Sequence, residues 1–327
     1  MRFFCAFFLL LTCLVNTGVA ATNESKPTVI VLVGAPGDEE FGKVFHEAAT
    51  SWENAARAAK ANFLQIGGAN AVTTNGLQKF RDALKAESSN TVDELWIAMI
   101  GHGTFDGRES KFNLNGPDLS ASELSNLLAV VWRPVAVING TASSAPFIKA
   151  LASTNRVIVT ATRSGSEENF TRFGRYFAQS IADAEADLDK DGQTSLLEAF
   201  LMASRRVGEF YKNEGRLATE HALIGDNGDG FGTPSEWFRG IRAVKKAANN
   251  SPLDGMRAHQ WHLLRSTEDQ KLSLEQRQKR DAVELEIARL RQQKPSLNED
   301  EYYRQLEKLL TDLGALIEPK QESSSGR

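Results

Sequence analysis

The residues of this sequence most able to do chemistry are one histidine and a short run of hydroxyl side chains. His102 closes the apolar stretch 92–100, and Thr141, Ser143 and Ser144 follow a second apolar stretch. A histidine can act as a general base toward a hydroxyl nucleophile when the two lie within hydrogen-bond reach. A lone histidine more often caps a strand, so its role depends on the elements that carry it.

Those elements are predicted to be strands alternating with helices. Apolar, β-branched runs predict strands, amphipathic stretches predict helices, and residues 105–119 predict a small hairpin flap. Such alternation favours a three-layer α/β fold with a mostly parallel sheet, whose neighbouring strand ends would bring His102 and Thr141 to one edge. The strands are predicted at 29–34, 63–66, 92–100, 133–140 and 156–165, and the helices at 42–62, 77–86, 120–128 and 169–185.

The most specific motif is the acidic stretch 187–198. Acids stand at positions 1, 3 and 5, Gly192 at position 6 and a glutamate at position 12, which is the pattern of an EF-hand calcium loop with helices on both sides. A solvated acidic turn would share this composition but not this spacing. Thr194, at a position where paired EF-hands carry an apolar residue, favours a solitary loop with a structural role. The predicted Ca²⁺ ligands are Asp187, Asp189, Asp191, Gln193, Ser195 and Glu198.

Two further polar stretches admit a metal interpretation. Residues 225–236 repeat part of the same register, but the first ligand position is Gly225, so Asp226 would have to replace it, and no helix precedes the loop. Glu220 and His221 stand side by side, where turn structure is a commoner explanation than a metal site. The sequence leaves both alternatives open.

The His-Gly motif and the hydroxyl-rich motif together resemble the caspase and legumain group of cysteine peptidases. The IGHG sequence ending at Gly103 matches the histidine motif of that group, and INGTAS at 138–143 falls where its Ala-Cys motif belongs. The resemblance covers roughly residues 28–240. It implies the caspase-hemoglobinase fold, a cysteine endopeptidase activity and a site that contains His102.

The chain departs from that group at the nucleophile. Thr141 occupies the cysteine position, and the cysteines of the sequence, Cys5 and Cys13, stand near the amino terminus. A thiolate is far more reactive than a hydroxyl, and no third group that would orient His102 can be identified. We therefore expect a scaffold that has lost its chemistry. The alternative is a hydrolase that uses Ser143 or Thr141 with His102.

The amino-terminal residues 1–20 have the order of a secretory signal peptide. Arg2 precedes an apolar run that ends in small residues, with cleavage expected after Ala20 or Ala21. The mature protein would then be secreted or periplasmic and would contain no cysteine; a lipoprotein acylated at Cys13 is the less favoured alternative. The net charge of −4, with acids and bases interspersed, does not favour binding to nucleic acid or to anionic membranes.

The carboxyl-terminal residues 251–318 predict an antiparallel helical hairpin broken at Pro295, with a polar, disordered tail at 319–327. The hairpin either packs on the main domain or offers a coiled-coil-like surface to a partner. Its apolar stripes consist of Val283, Ile287 and Leu290 in the first helix and of Tyr302, Leu306, Leu309, Leu313 and Leu316 in the second.

These features predict an exported peptidase-like protein with a main domain at 28–245. It would bind peptide or protein without cleaving it and would hold one Ca²⁺. Besides the hydrolase, the alternative is a calcium-stabilised interaction protein that acts through the hairpin. Arg163 and Lys43 either line a pocket for an acidic side chain, as basic residues do in related proteases, or form surface salt bridges.

Overall fold

A seven-stranded sheet forms the centre of the molecule. The computed structural model describes residues 26–68, 75–87, 93–245 and 251–317, so the predicted signal peptide and the tail lie outside the described residues. The strands in chain order are β1 (Thr28–Val33), β2 (Asn62–Gly67), β3 (Leu95–Ile100), β4 (Gly103–Phe105), β5 (Ser110–Phe112), β6 (Leu119–Ser120), β7 (Val135–Asn139), β8 (Arg156–Thr160), β9 (Leu223–Gly225), β10 (Thr233–Pro234), β11 (Phe238–Arg239) and β12 (Arg242–Ala243).

The strand order across the central sheet is β2-β1-β3-β7-β8-β9-β10. The first five strands run parallel, and β9 and β10 continue the sheet in antiparallel pairing. Strands β3 and β7 are neighbours, with Met99 opposite Asn139 at their carboxyl ends. The residues that follow these two strands, including His102 and Thr141, therefore leave the sheet at the same edge.

Helices cover both faces of the sheet. The helices in chain order are α1 (Glu39–Ala58), α2 (Gly76–Ala86), α3 (Ala121–Leu128), α4 (Pro146–Leu151), α5 (Phe173–Ser180), α6 (Leu196–Asn213), α7 (Met256–Gln260), α8 (Thr267–Lys271), α9 (Leu274–Gln293) and α10 (Glu299–Ile317). Helices α1, α5 and α6 pack on one face, and α2, α3 and α4 pack on the other. The predicted three-layer α/β fold with a mostly parallel sheet is confirmed.

The packing of β1 explains why its sequence is apolar throughout. Val29, Val31 and Val33 belong to the core on one face of the sheet, and Ile30 and Leu32 belong to the core on the other. Successive side chains of a strand point to opposite faces, so a strand covered on both sides needs apolar residues throughout.

Two helices differ from their predicted bounds by more than one residue, and the first of them, α1, also ends at Ala58 instead of residue 62. Helix α1 begins at Glu39 instead of residue 42 because Asp38 caps it, accepting a hydrogen bond from the Phe41 backbone at 3.1 Å. The helix predicted at 169–185 is shorter, and a separate 3-10 turn follows at Ala184–Ala186. Asp183 accepts from the Glu185 backbone at 3.0 Å, which caps this turn and competes with continued helix formation. The helix before the acidic loop therefore ends well before the loop begins.

The loops beyond β3 form the predicted flap. Strands β4, β5 and β6 make a small antiparallel sheet of their own directly after His102. The flap lies over the sheet edge, since Ser110 of β5 donates a hydrogen bond to the Ser143 carbonyl oxygen at 2.7 Å.

The carboxyl-terminal segment has two parts. Helices α9 and α10 form the predicted hairpin, joined by a 3-10 turn at Lys294–Ser296. The residues before the hairpin enter the main core instead: Trp261 and Leu263 are buried there, and an Arg265 guanidinium nitrogen lies 3.1 Å from a Glu94 carboxylate oxygen. Within the described residues, no helix has both the length and the apolar character that a membrane span requires.

Candidate functional site

His102 lies at the carboxyl end of β3 among aromatic rings. The centroid of its imidazole is 4.7 Å from that of Phe41, 5.3 Å from that of Phe45 and 6.0 Å from that of Phe170. Its Nε2 atom lies 3.1 Å from the Pro36 carbonyl oxygen. A carbonyl oxygen only accepts, so this contact requires a proton on Nε2. That nitrogen is a donor here, so only Nδ1 could serve as the base for a hydroxyl, with the Pro36 carbonyl orienting the ring.

Thr141 lies at the end of the neighbouring strand and is buried. Its hydroxyl oxygen is 2.7 Å from Asn139 Oδ1 and 3.1 Å from the Ala142 carbonyl oxygen, both acceptors. The Thr141 backbone N–H donates to the same Asn139 oxygen at 3.2 Å. A hydroxyl has one proton to donate, so the Thr141 proton is already committed to this local network.

Ser143 follows in an unusual backbone conformation. Its φ is 55°, in the left-handed region that few residues other than glycine adopt. Its backbone N–H donates to the Glu167 carbonyl oxygen at 2.8 Å, and its carbonyl oxygen accepts the bond from Ser110. The hydroxyl oxygen is buried and has no hydrogen-bond partner within the described part of the chain.

Gly103 shows how closely the two strand ends approach each other. A β-carbon on Gly103 would lie 2.2 Å from the Ala142 carbonyl oxygen and 2.6 Å from the Thr141 hydroxyl oxygen. The two motifs are thus adjacent at one sheet edge. Among the described residues, however, no hydrogen bond joins the His102 ring to Thr141 or Ser143.

The acidic loop 187–198 is folded around its aspartates. The two Asp187 carboxylate oxygens accept from the backbone of Lys190 at 2.7 Å and of Gly192 at 3.1 Å. Both of those residues adopt positive φ, 64° and 86°. One carboxylate oxygen each from Asp187, Asp189 and Asp191 lie within 4.8 Å of one another. This set of oxygens suits a hard cation such as Ca²⁺.

Glu198 closes the loop from the first turn of α6. Its buried carboxylate accepts from the Leu188 backbone at 2.7 Å, and from the Ser195 backbone at 2.8 Å and hydroxyl at 2.7 Å. Burial, followed by the negative charges of Glu198 and Asp191, raises the pKa of Asp189. These carboxylates repel one another, and a bound divalent cation would relieve that repulsion.

Two predicted ligands use their side chains for other contacts. Gln193 Oε1 accepts from the Ser266 backbone at 3.0 Å, and the Ser195 hydroxyl caps α6. Gln193 would therefore offer a cation its backbone carbonyl, as the seventh position of an EF-hand does. His259 reaches the loop from the carboxyl-terminal segment, with its Nε2 3.5 Å from Asp189 Oδ2.

The second acidic loop serves a structural role. It connects β9 to β10, and the two Asp226 carboxylate oxygens accept from the backbone of Gly255 at 3.0 Å and of Ala258 at 2.9 Å. Asp254 lies beside it and accepts from the Thr233 hydroxyl at 2.6 Å. Burial and the neighbouring Asp226 carboxylate raise the pKa of Asp254 to about 8. Asp226 thus caps α7 instead of facing a cation within the loop.

Glu220 also caps a helix. Its carboxylate accepts from the backbone of Arg172 at 2.8 Å and of Phe173 at 3.0 Å, at the start of α5, and from the Tyr211 hydroxyl at 3.2 Å. Burial raises the pKa of Glu220 despite these bonds. The adjacent His221 Nδ1 lies 2.7 Å from a Glu167 oxygen. The contacts of both side chains are therefore structural, and the two residues lie in an irregular connection between α6 and β9.

Arg163 and Lys43 form surface salt bridges instead of a pocket for an acidic side chain. Arg163 Nε lies 3.3 Å from Glu167 Oε1, and Lys43 Nζ lies 2.8 Å from Glu39 Oε1. Both basic side chains are exposed, so neither lines a closed pocket.

Three residues around the two motifs did not stand out in the sequence. Asn139 ends an apolar strand and stands two residues before Thr141, so its polarity could have indicated a partner for that hydroxyl. Phe41 and Phe170 lie on elements far apart in the chain, and no sequence spacing relates them to His102. Only the folded arrangement shows that they enclose the histidine.

Comparisons with known proteins give limited similarity. No model of a known protein family matches this chain, and no curated protein is similar to it in sequence. Among solved structures, the Drosophila initiator caspase Dronc is 12% identical, with a TM-score of 0.42, over 63% of this chain and 81% of the caspase. A structural-genomics target from Geobacter sulfurreducens is 17% identical, with a TM-score of 0.36, over 56% of this chain and 89% of that protein. At these scores neither overlap assigns a family or an activity.

Proposed function

We propose that this chain is an exported peptidase-like protein that binds peptide or protein segments at the carboxyl edge of its sheet without cleaving them. The observation that carries this proposal is the hydroxyl of Thr141, which donates to Asn139 and not toward a base. Among the described residues, the His102 ring makes no hydrogen bond to Thr141 or Ser143, and its Nε2 contacts the Pro36 carbonyl oxygen. Nucleophilic catalysis needs a nucleophile and a base in direct contact, and Thr141 and His102 do not make that contact.

One observation favours hydrolysis as the competing function. Ser143 holds a left-handed backbone conformation and a hydroxyl without a partner in the described part of the chain. Strained conformations of this kind occur often at functional sites. The Ser143 side chain is buried, however, so a substrate would reach it only after the flap strand β5 moved away from its carbonyl oxygen.

A hydrolysis assay separates these functions. The purified protein is incubated with a fluorogenic peptide library and, in parallel, with a serine-reactive phosphonate probe. We expect no turnover above the buffer blank and no labelling, for the wild type and for Ser143→Ala alike. Turnover or labelling that is lost in both Ser143→Ala and His102→Ala, with unchanged melting midpoints, would establish the hydrolase instead.

We further propose that residues 187–198 hold Ca²⁺ as a structural ion. Asp187, Asp189, Asp191 and Glu198 would supply carboxylate oxygens, and Gln193 would supply a backbone carbonyl. Burial, together with the crowding of carboxylates, raises the pKa of Asp189, and this crowding supports a cation at this position. Export would deliver the protein to compartments where calcium is abundant enough for a site of modest affinity.

Thermal melting in calcium and in chelator tests the ion. At a hundredfold excess over the dissociation constant, Ca²⁺ should add about 2.7 kcal/mol, or about 4 °C in the midpoint for a chain of this size. Asp187→Asn should remove the difference between the two conditions. Asp312→Asn, an exposed acid on α10, is the charge-matched control and should retain it. Equal midpoints of the wild type in calcium and chelator would refute the site.

A further inference from the structure

A groove lies directly beside His102. It has a volume of about 530 Å³ and is lined by the start of α1, the approach to α5 and the end of α6. Phe41 and Phe170 line this groove and also contact the His102 ring. Their centroids are 4.7 Å apart, so these two rings separate the groove from the histidine. A ligand in the groove would therefore lie next to the sheet edge.

The groove has an excess of positive charge. Arg172, Arg175 and Arg216 line it, together with one acid, Glu40. Arg175 pairs with Glu47 at 3.0 Å. Arg172 and Arg216 form no ion pair with any residue that the structure describes. Neither guanidinium has a carboxylate within 4.0 Å among the described residues, although the buried Glu220 carboxylate attracts Arg172 at longer range. Both groups can therefore take an anion from the groove.

Arg172 is held in place before any ligand binds. Its guanidinium carbon lies 4.0 Å above the centroid of the Phe210 ring and 5.7 Å from that of Tyr211. Its backbone is fixed by the bond to Glu220. A guanidinium that stacks on an aromatic ring keeps the edge of its planar fork free for a carboxylate. Little side-chain entropy would be lost on binding.

The remaining lining is apolar or aromatic. Phe41, Phe170 and Tyr176 bring ring surface to the groove, and Val44 adds aliphatic surface. Sites with aromatic walls and a few fixed polar groups select ligands that are partly apolar and carry a matching charge. Phosphate alone would leave these rings without a partner.

We propose that the groove binds the acidic side chains of a peptide segment in which acidic and aromatic residues alternate. Arg172 and Arg216 would hold the carboxylates, and the rings of Phe41, Phe170 and Tyr176 would pack against the aromatic side chains. This proposal rests on the proposed function, since it names the class of peptide that the sheet edge takes. It locates the acidic pocket at these two arginines instead of at Arg163 and Lys43.

Fluorescence anisotropy tests the charge preference. The probes are a labelled octapeptide of alternating phenylalanine and glutamate and the same peptide with glutamine in place of glutamate. We expect the glutamate peptide to bind at least about tenfold more tightly, since hydrogen bonds between a guanidinium and a carboxylate are stronger than those between a guanidinium and an amide. Its affinity should fall as salt rises, while that of the glutamine peptide should change little.

Substitution of the arginines tests the location. Arg172→Gln and Arg216→Gln should each lower the affinity for the glutamate peptide by about tenfold or more. Arg172→Lys should restore part of that loss, because it keeps the charge without the planar fork. Arg205→Gln is the control, because Arg205 lies on α6, is 69% exposed and pairs with Glu209 outside the groove. It should bind both peptides as the wild type does. Circular dichroism confirms that each variant is folded.

Each contrary outcome has a distinct meaning. Equal affinity for the two peptides would leave peptide binding intact but overturn the acidic preference. Unchanged affinity in Arg172→Gln and Arg216→Gln would overturn the location. Failure of both peptides to bind the wild type would overturn the groove proposal altogether. Cleavage of a bound peptide would contradict the proposed function while leaving the groove in place.

Discussion

At Gly103, the chain that carries His102 passes so close to its neighbour that a β-carbon would lie 2.2 Å from the Ala142 carbonyl oxygen. The glycine of the His-Gly motif is therefore required by space at this edge of the sheet, independently of any catalytic role. Thr141 fits the same description, since its hydroxyl bonds to Asn139 within a buried turn. The residues that resemble a catalytic motif thus also have structural roles.

A glycine-to-alanine pair measures this steric requirement. Gly103→Ala forces a methyl group against backbone and should lower the free energy of unfolding by about 1 to 3 kcal/mol. Gly208 lies inside α6, and no neighbouring atom of the described residues comes within 4 Å of the place that a β-carbon would take. Gly208→Ala should therefore raise that free energy by about 1 kcal/mol. Urea unfolding reports both changes. Equal stability of Gly103→Ala and the wild type would contradict the close approach.

Asp254 makes stability depend on pH. Burial and the Asp226 charge raise its folded pKa to about 8, above a value of about 4 in the unfolded chain. A raised pKa contributes stability that is fully present below about pH 4 and is lost as pH rises toward 8. Asp254→Asn cannot lose a proton. It should therefore gain stability relative to the wild type between about pH 5 and pH 9.

Urea unfolding at about pH 5 and at about pH 9 checks this prediction. Asp312→Asn, the exposed control, should differ from the wild type by the same amount at both of them. If Asp254→Asn behaved like that control, Asp254 would be ionised in the folded protein at both values.

The elements of this fold follow from the sequence to different extents. The parallel strands could be predicted because apolar β-branched runs such as 29–34 leave no other stable arrangement than burial on both faces. The end of α5 at Ser180 could not, because it depends on Asp183, which caps a 3-10 turn and pairs with Arg206 from α6. The role of Asp226 could not be predicted either, because its partners Gly255 and Ala258 are distant in sequence.

The elements of the carboxyl-terminal segment contribute unequally to the stability of the folded protein. Helix α10 packs mainly on α9, whereas Trp261 and Leu263, which precede the hairpin, are buried in the main core. A chain that ends at residue 297 should keep a cooperative melting transition, with a loss of about 1 to 2 kcal/mol or a few degrees.

A chain that ends at residue 250 should lose that transition. It lacks Trp261 and Leu263, and it leaves Asp226 and Glu94 buried without their partners Gly255 and Arg265. Melting followed by near-ultraviolet circular dichroism distinguishes the two chains. A cooperative transition in the shorter chain would show that the core closes without this segment.

At the scale of the whole molecule, the fold brings three features to one region. The sheet edge carries the His102 and Thr141 motifs, the flap of β4 to β6 lies over that edge, and the arginine-lined groove adjoins it. The sequence could indicate the edge, because His102 and Thr141 each follow a predicted strand. It could not indicate the groove, whose lining comes from α1, α5 and α6. The combination supports a protein that holds a peptide and does not cut it.

The most direct test of this account is the fate of a peptide that the protein binds. The protein is incubated with the phenylalanine and glutamate peptide, separated from free peptide by gel filtration, and analysed by mass spectrometry. We expect intact peptide to be recovered with the wild type and with His102→Ala in the same yield per binding site. Recovery of cleavage fragments from the wild type but not from His102→Ala would show that the dyad is functional and would contradict the account.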